Sequence, residues 1–169
     1  MLSQPDEALL DAILSEMCLK EKLGQMLQPD WRAFRASPRV EVACSNTLPA
    51  TLASLVRKLL NQPLSEAACE RGLGAHGLGS VLGGGGASPT PNVPEVWAKQ
   101  MCAMQRAAAK TGSGVPLLIC NDTVHGQTNL SDATFFPHHI GQGCMQDAAL
   151  VEELAVVAAK ESHACGINW

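Results

Sequence analysis

The sequence predicts an α/β fold, and three observations carry that prediction. Two short apolar runs, Gly77–Leu82 and Pro116–Cys120, have the length of buried strands and end in glycine or polar residues. After each run comes a longer segment with apolar residues at helical spacing, Pro94–Lys110 and then Asp147 to about Ala164. Gly166-Ile167-Asn168-Trp169 reads as the start of one more strand. Strands alternating with helices at this spacing argue for βαβ units and a parallel sheet.

Taken in order, residues 6–17 place Ala8, Leu9, Ala12, Ile13 and Met17 at helical spacing, with acids at Asp6 and Glu7 where a helix N-terminus favours them. A second helix follows over Leu19–Leu27. Cys18 stands at its cap position, so only the Glu21 half of a capping box is expected. The pattern weakens from Pro29 to about Pro63. Pro49–Leu60 reads as one helix and Leu64–Arg71 as another short one. In Pro94–Lys110 the apolar stripe is Val96, Trp97, Met101, Met104 and Ala108. Asp147 is a good cap for the last helix, with Leu150, Leu154, Val157 and Ala158 expected to face inward.

With 169 residues the chain fits one domain with a usable core, and 46% hydrophobic against 17% charged residues describes an ordinary globular protein. A net charge of −4, no tyrosine and only three Trp and three Phe argue against a nucleic-acid partner. Seven cysteines without a C-x-x-C pair lack the usual zinc and thioredoxin spacings and read as buried free thiols. No window reaches the roughly 18 apolar residues of a membrane span, so no membrane partner is expected. The start, MLSQPDEALLDAIL, lacks the pattern of a signal peptide, which makes the chain cytoplasmic if that N-terminus is the genuine one.

Several motifs resolve into ordinary structure. Gly72, Gly74 and Gly77 fit G-x-G-x-x-G by letter, but a helix precedes them and a strand follows, the reverse of a dinucleotide site. Gly83–Gly86 lacks the lysine and hydroxyl of a phosphate loop and reads as a flexible loop at the carboxyl end of a strand. His125, His138, His139 and His163 show no metal-ligand spacing, and Pro137 before the His138-His139 pair suggests a tight turn. Neither a cofactor nor a metal is expected.

The richest stretch is Pro116–Gly143, PLLICNDTVHGQTNLSDATFFPHHIGQG. It sets Asp122 and His125 just past the end of a buried strand, where α/β enzymes place ligand-binding groups. Asp122 reads either as a turn or cap residue or as a ligand carboxylate, whose two oxygens can accept two hydrogen bonds. His125 either packs beneath the loop, hydrogen-bonded to hold Asp122, or touches the ligand directly.

Several blocks, in order, resemble the N-terminal domain of glycoside hydrolase family three. LKEKLGQMLQ (Leu19–Gln28) is similar to its opening helix, and GSVLGGG (Gly79–Gly85) to its first barrel strand and glycine loop. VPLLICNDTVHG (Val115–Gly126), DATFFPHHIGQG (Asp132–Gly143) and KESHACGINW (Lys160–Trp169) complete the resemblance. The D-x-V-H-G form is similar to the β-glucosidase and exo-glucanase branch, with the β-N-acetylglucosaminidase branch as the alternative. Departures are Asn121, where a small or apolar residue is usual, and His139, where Asn is common.

The resemblance implies a (β/α)₈ barrel of TIM type, of which this chain would hold the first part. Residues 1–75 would form an N-terminal helical extension and variable region, and residues 76–169 the first strands and helices of the barrel. It also implies release of terminal β-D-glucose from a β-glucoside or β-glucan oligosaccharide by a retaining mechanism. Asp122 would bind sugar hydroxyls, with His125 in support. The nucleophile and the acid/base would lie outside this chain, leaving no catalytic residue within it. A barrel takes about 250 residues, so the isolated chain is expected to be a fragment that folds poorly and turns nothing over. A truncated, non-catalytic sugar-binding or structural remnant is the reading from another class.

Overall fold

The computed structural model describes residues 7–34, 64, 66–83, 88–110 and 113–169. The helix expected over Pro49–Leu60 and the run Gly84–Gly86 lie outside the described residues. Within them, helices and a small parallel sheet give a mixed α/β architecture, as the sequence predicts.

Helix α1 (Glu7–Glu16) leads directly into α2 (Leu19–Gln25). The Glu21 carboxylate accepts from the Cys18 backbone N–H at 2.9 Å, so the expected half of the capping box is present. Gly24 is buried inside α2 because a Cβ there would stand 1.7 Å from the His76 carbonyl oxygen. That approach lets the Gly79 N–H donate to the Gly24 carbonyl at 3.2 Å, while Gln25 Nε2 donates to the Gly77 carbonyl at 2.7 Å. The end of α2 is thereby fastened to the foot of the sheet.

A 3₁₀ turn (Trp31–Phe34) and helix α3 (Glu66–His76) precede strand β1 (Ser80–Gly83). The glycine string lies at the end of α3. Gly77 adopts φ 59° and donates to the Leu73 carbonyl at 2.8 Å, a left-handed helix stop. The chain thus runs from helix into strand there, which is the wrong topology for a phosphate cradle.

Helix α4 (Pro94–Ala108) carries the chain from β1 to strand β2 (Leu118–Asn121), which pairs with β1 in parallel. The register matches Ser80 with Leu118 and Gly83 with Asn121, so both strands end together. Pairing begins two residues later than the apolar run suggests. Pro116 has no N–H to give, and both polar groups of the Leu117 backbone are taken by the side-chain amide of Gln105.

Further segments flank the pair. Asp30 bridges Leu82 in parallel, and the Leu82 N–H donates to the Pro29 carbonyl at 3.0 Å. Beyond β2, Trp169 donates to the Ile119 carbonyl and accepts from the Asn121 N–H, each at 3.1 Å. This is one rung of parallel pairing, and it is what becomes of the strand expected over Gly166–Trp169.

The core gathers Leu73 of α3, Val81 of β1, Ile119 of β2, and Trp97, Met101 and Met104 of α4. Trp31 and Trp97 stack at its centre with ring centroids 5.2 Å apart and planes at 21°. The predicted α4 stripe is therefore buried, except that Val96 is only half covered and Ala107 joins it.

The inward face expected of the last helix fails. Helix α6 (Ala148–Ala164), which follows a short α5 (His139–Cys144), has no buried residue, and Leu150 and Val157 remain 39% and 37% exposed. Helix α1 has no buried residue either; of the residues at helical spacing there, Met17, just beyond its end, is buried and Ile13 is half-buried. Periodicity identifies the apolar face of a helix; it does not say what covers it. Among the described residues, no helix is long and apolar enough to cross a membrane.

Two glycines in helices should respond oppositely to alanine. Gly24→Ala forces a Cβ into the His76 carbonyl and should cost about 2 kcal/mol or more. Gly74→Ala has open space around its Cβ position and should gain about 0.5 kcal/mol. Thermal melts of the two variants should therefore shift in opposite directions from the parent.

Burial, with the Glu161 carboxylate adding to it, pushes the Cys165 thiol from 9.0 up to about 11. The folded chain then holds this proton more tightly than the unfolded one. The resulting stability is complete below pH 9.0 and drains away as pH rises toward about 11. A melting-temperature profile should fall across that window, with a shallower fall for Cys165→Ala.

Candidate functional site

Strands β1 and β2 end in register at Gly83 and Asn121, and Asn121 leads into the loop that carries the candidate residues. Asp122 is the first residue past β2 and is exposed. Among the described residues its carboxylate has no hydrogen-bond or ion-pair partner, which leaves both oxygens open to a ligand. Its backbone carbonyl is engaged, accepting from Asn129 Nδ2 at 3.3 Å. Among the described residues the side chain caps no N–H.

Cys120, two residues earlier, is buried. Burial pushes its thiol up and the Asp122 charge pushes it further in the same direction. The thiol therefore stays protonated at neutral pH and is no nucleophile. Gln28 Nε2 lies 3.1 Å from its sulfur.

His125 is half-buried in the loop between β2 and α5, and its contacts are with the segment from Phe135 to His138. Its Nδ1 lies 3.1 Å from the Phe136 carbonyl, and the Phe136 N–H donates to the His125 carbonyl at 2.9 Å. A carbonyl only accepts, so Nδ1 carries a proton and donates it there. The ring stacks on Phe135 (centroids 5.1 Å, planes at 12°) and meets His138 edge-on at 5.2 Å. The structure brings His125 together with Phe135, Phe136 and His138, and it does not join His125 to the Asp122 carboxylate.

This fold of the loop requires Gly126. Its φ is 79°, and a Cβ there would stand 2.5 Å from the Thr134 carbonyl oxygen. Thr134 is itself clamped, its N–H and Oγ1 donating to the Glu161 carboxylate on α6 at 3.0 Å and 2.7 Å. At His138 the predicted turn is a helix start, its Nδ1 accepting from the Ile140 N–H at 3.3 Å.

Sequence reasoning missed the amides around Asp122. Asn121 Nδ2 donates to Gln127 Oε1 at 2.9 Å, and Asn129 Nδ2 donates to Asn121 Oδ1 at 3.1 Å. Gln127 is fully buried, and its Nε2 has no hydrogen-bond partner among the described residues. Asn121, out of place as a strand residue, makes sense as a member of this network. Nothing in the letters marks Gln127 or Asn129, since polar residues in a loop are the ordinary case.

An open cleft of about 700 Å³ lies beside the network, lined among others by Asn121, Thr123, His139, Ser162, His163 and Trp169. Asp122 stands outside that lining. Among the described residues, no three His, Cys, Asp or Glu side chains come together as metal ligands.

What the edge offers chemically is a free carboxylate on a loop held by amides, able to accept hydrogen bonds from a polyhydroxylated ligand. The chain is similar to the lysosomal beta glucosidase of Dictyostelium discoideum, with 22% identity over 165 residues. That alignment covers 96% of this chain but 18% of the relative, so the chain spans less than a fifth of the relative's length. Residues 18–169 match the model of the glycosyl hydrolase family 3 N-terminal domain. With nearly the whole length matched, and an α/β fold whose open carboxylate follows a parallel strand, the chain belongs to glycosyl hydrolase family 3.

Proposed function

We propose that this chain is the N-terminal part of a retaining β-glucosidase, in which Asp122 binds hydroxyls of the terminal, non-reducing glucose. The observation that carries the reading is the Asp122 carboxylate, exposed just past β2 with both oxygens unpartnered among the described residues. Family membership and the printed activity of the Dictyostelium relative support it. The substrate is a β-glucoside or β-glucan oligosaccharide.

In a retaining hydrolase, one carboxylate attacks the anomeric carbon and a second carboxyl group protonates the departing oxygen, then activates water. We assign neither role to a residue of this chain. The part of Asp122 is to orient the sugar, its charge strengthening hydrogen bonds to two hydroxyls as the ring flattens toward the transition state. His125 supports the same loop from beneath by holding the Phe136 segment, and it needs no contact with sugar for that.

In the full-length protein that carries this chain, Asp122→Ala should lower kcat/KM for nitrophenyl β-glucoside at least about a hundredfold, the scale of a lost charged hydrogen-bond pair. Asp122→Asn, which keeps the shape and loses the charge, should fall between the parent and Asp122→Ala. Near-parental rates for Asp122→Ala would refute the assignment.

A further inference from the structure

The amides beside Asp122 form a chain whose direction is fixed from one end. The Asp122 backbone carbonyl can only accept, so Asn129 must present its Nδ2 there, at 3.3 Å. The same Nδ2 faces Asn121 Oδ1 at 3.1 Å, which turns Asn121 Nδ2 toward Gln127 Oε1 at 2.9 Å. Reversing any amide would set like atoms face to face, oxygen against oxygen at Asn129 and nitrogen against nitrogen at Gln127.

Asn129 is held from its other side as well. Its backbone carbonyl accepts from Ser88 Oγ at 2.8 Å and from Asn92 Nδ2 at 3.0 Å, both in the segment between β1 and α4. Asn92 Oδ1 in turn accepts from Trp97 Nε1 at 2.6 Å, and Trp97 is buried in the core. A continuous path of hydrogen bonds therefore runs from the core of α4 through Asn92 and Asn129 to the backbone of Asp122.

We propose that Asn129 is a positioning residue for Asp122: its side-chain amide locks the backbone of residues 121–122 and so preorganises the sugar-binding carboxylate, which Asn129 itself need not contact. The catalytic consequence rests on reading Asp122 as a sugar ligand; the locking of the backbone does not. Preorganisation matters because a carboxylate free to swing spends binding energy on its own ordering instead of on the transition state.

The test uses Asn129→Ala and the isosteric Asn129→Asp, which keeps the shape and removes the donor, in the full-length protein carrying this chain. Each is combined with Asp122→Ala, and nitrophenyl β-glucoside kinetics are read beside hydrogen exchange over residues 121–124. Each Asn129 single variant should lose at least about tenfold in kcat/KM and exchange those amides at least about tenfold faster. On the Asp122→Ala background the same change should cost less than about twofold, because a residue acting through Asp122 has nothing left to position. A merely structural role would instead multiply the two losses, and that result overturns the proposal. Unchanged exchange in Asn129→Asp overturns it too. A parent protein that cleaves no β-glucoside defeats the functional reading alone; exchange then decides whether Asn129 locks the loop.

Discussion

Parallel pairing of Ser80–Gly83 with Leu118–Asn121 is the constraint on which the rest of the structure depends. Parallel strands cannot be joined by a tight turn; the chain must return to the starting edge through a crossover. Helix α4 supplies it, and packing against the sheet makes its apolar stripe obligatory, with Trp97 stacked on Trp31. The in-register ends have a second consequence. Beyond those ends, Ser88 and Asn92 reach the Asn129 carbonyl in the loop that follows β2. Asp122 owes its setting to that coincidence of strand ends.

The edge is held by hydrogen bonds more than by apolar packing. Each is worth about 1 kcal/mol net, yet an unmade one on a buried group costs more than a made one gains. Gln127 shows the asymmetry: fully buried, it satisfies Asn121 with its Oε1 and leaves Nε2 without a partner among the described residues. Such a network has one good arrangement and many poor ones, which suits a loop that must present a carboxylate in a fixed place. The Phe136–His125 exchange and the Glu161 clamp on Thr134 do the same for the neighbouring segment, again by directional bonds.

What was legible in the sequence was whatever local chemistry decides. Asp147 caps α6 by accepting from the Leu150 N–H at 3.0 Å. The stripe through Trp97, Met101 and Met104 faces the core because its period is helical. Long-range competition was not legible. Gln105 occupying the Leu117 backbone delays β2, and nothing near Leu117 in sequence announces it. The apolar faces of α1 and α6 were equally readable as patterns, but their burial depends on surfaces that the described residues do not supply. Asp122 stands out by its place after a strand, whereas Asn129 and Gln127 matter through partners that are not their sequence neighbours, Asn121 for both and Ser88 and Asn92 for Asn129.

Membership in glycosyl hydrolase family 3 gives this edge its chemical setting, and the central claim is that Asp122 is where the chain meets sugar. The most direct measurement is a crystal structure of the full-length protein with glucose bound. The account predicts the two Asp122 oxygens at roughly 2.5–2.7 Å from hydroxyls of one glucose ring, the range of hydroxyl-to-carboxylate hydrogen bonds. A glucose seated in the active site with the Asp122 carboxylate beyond hydrogen-bond reach of every hydroxyl would contradict it.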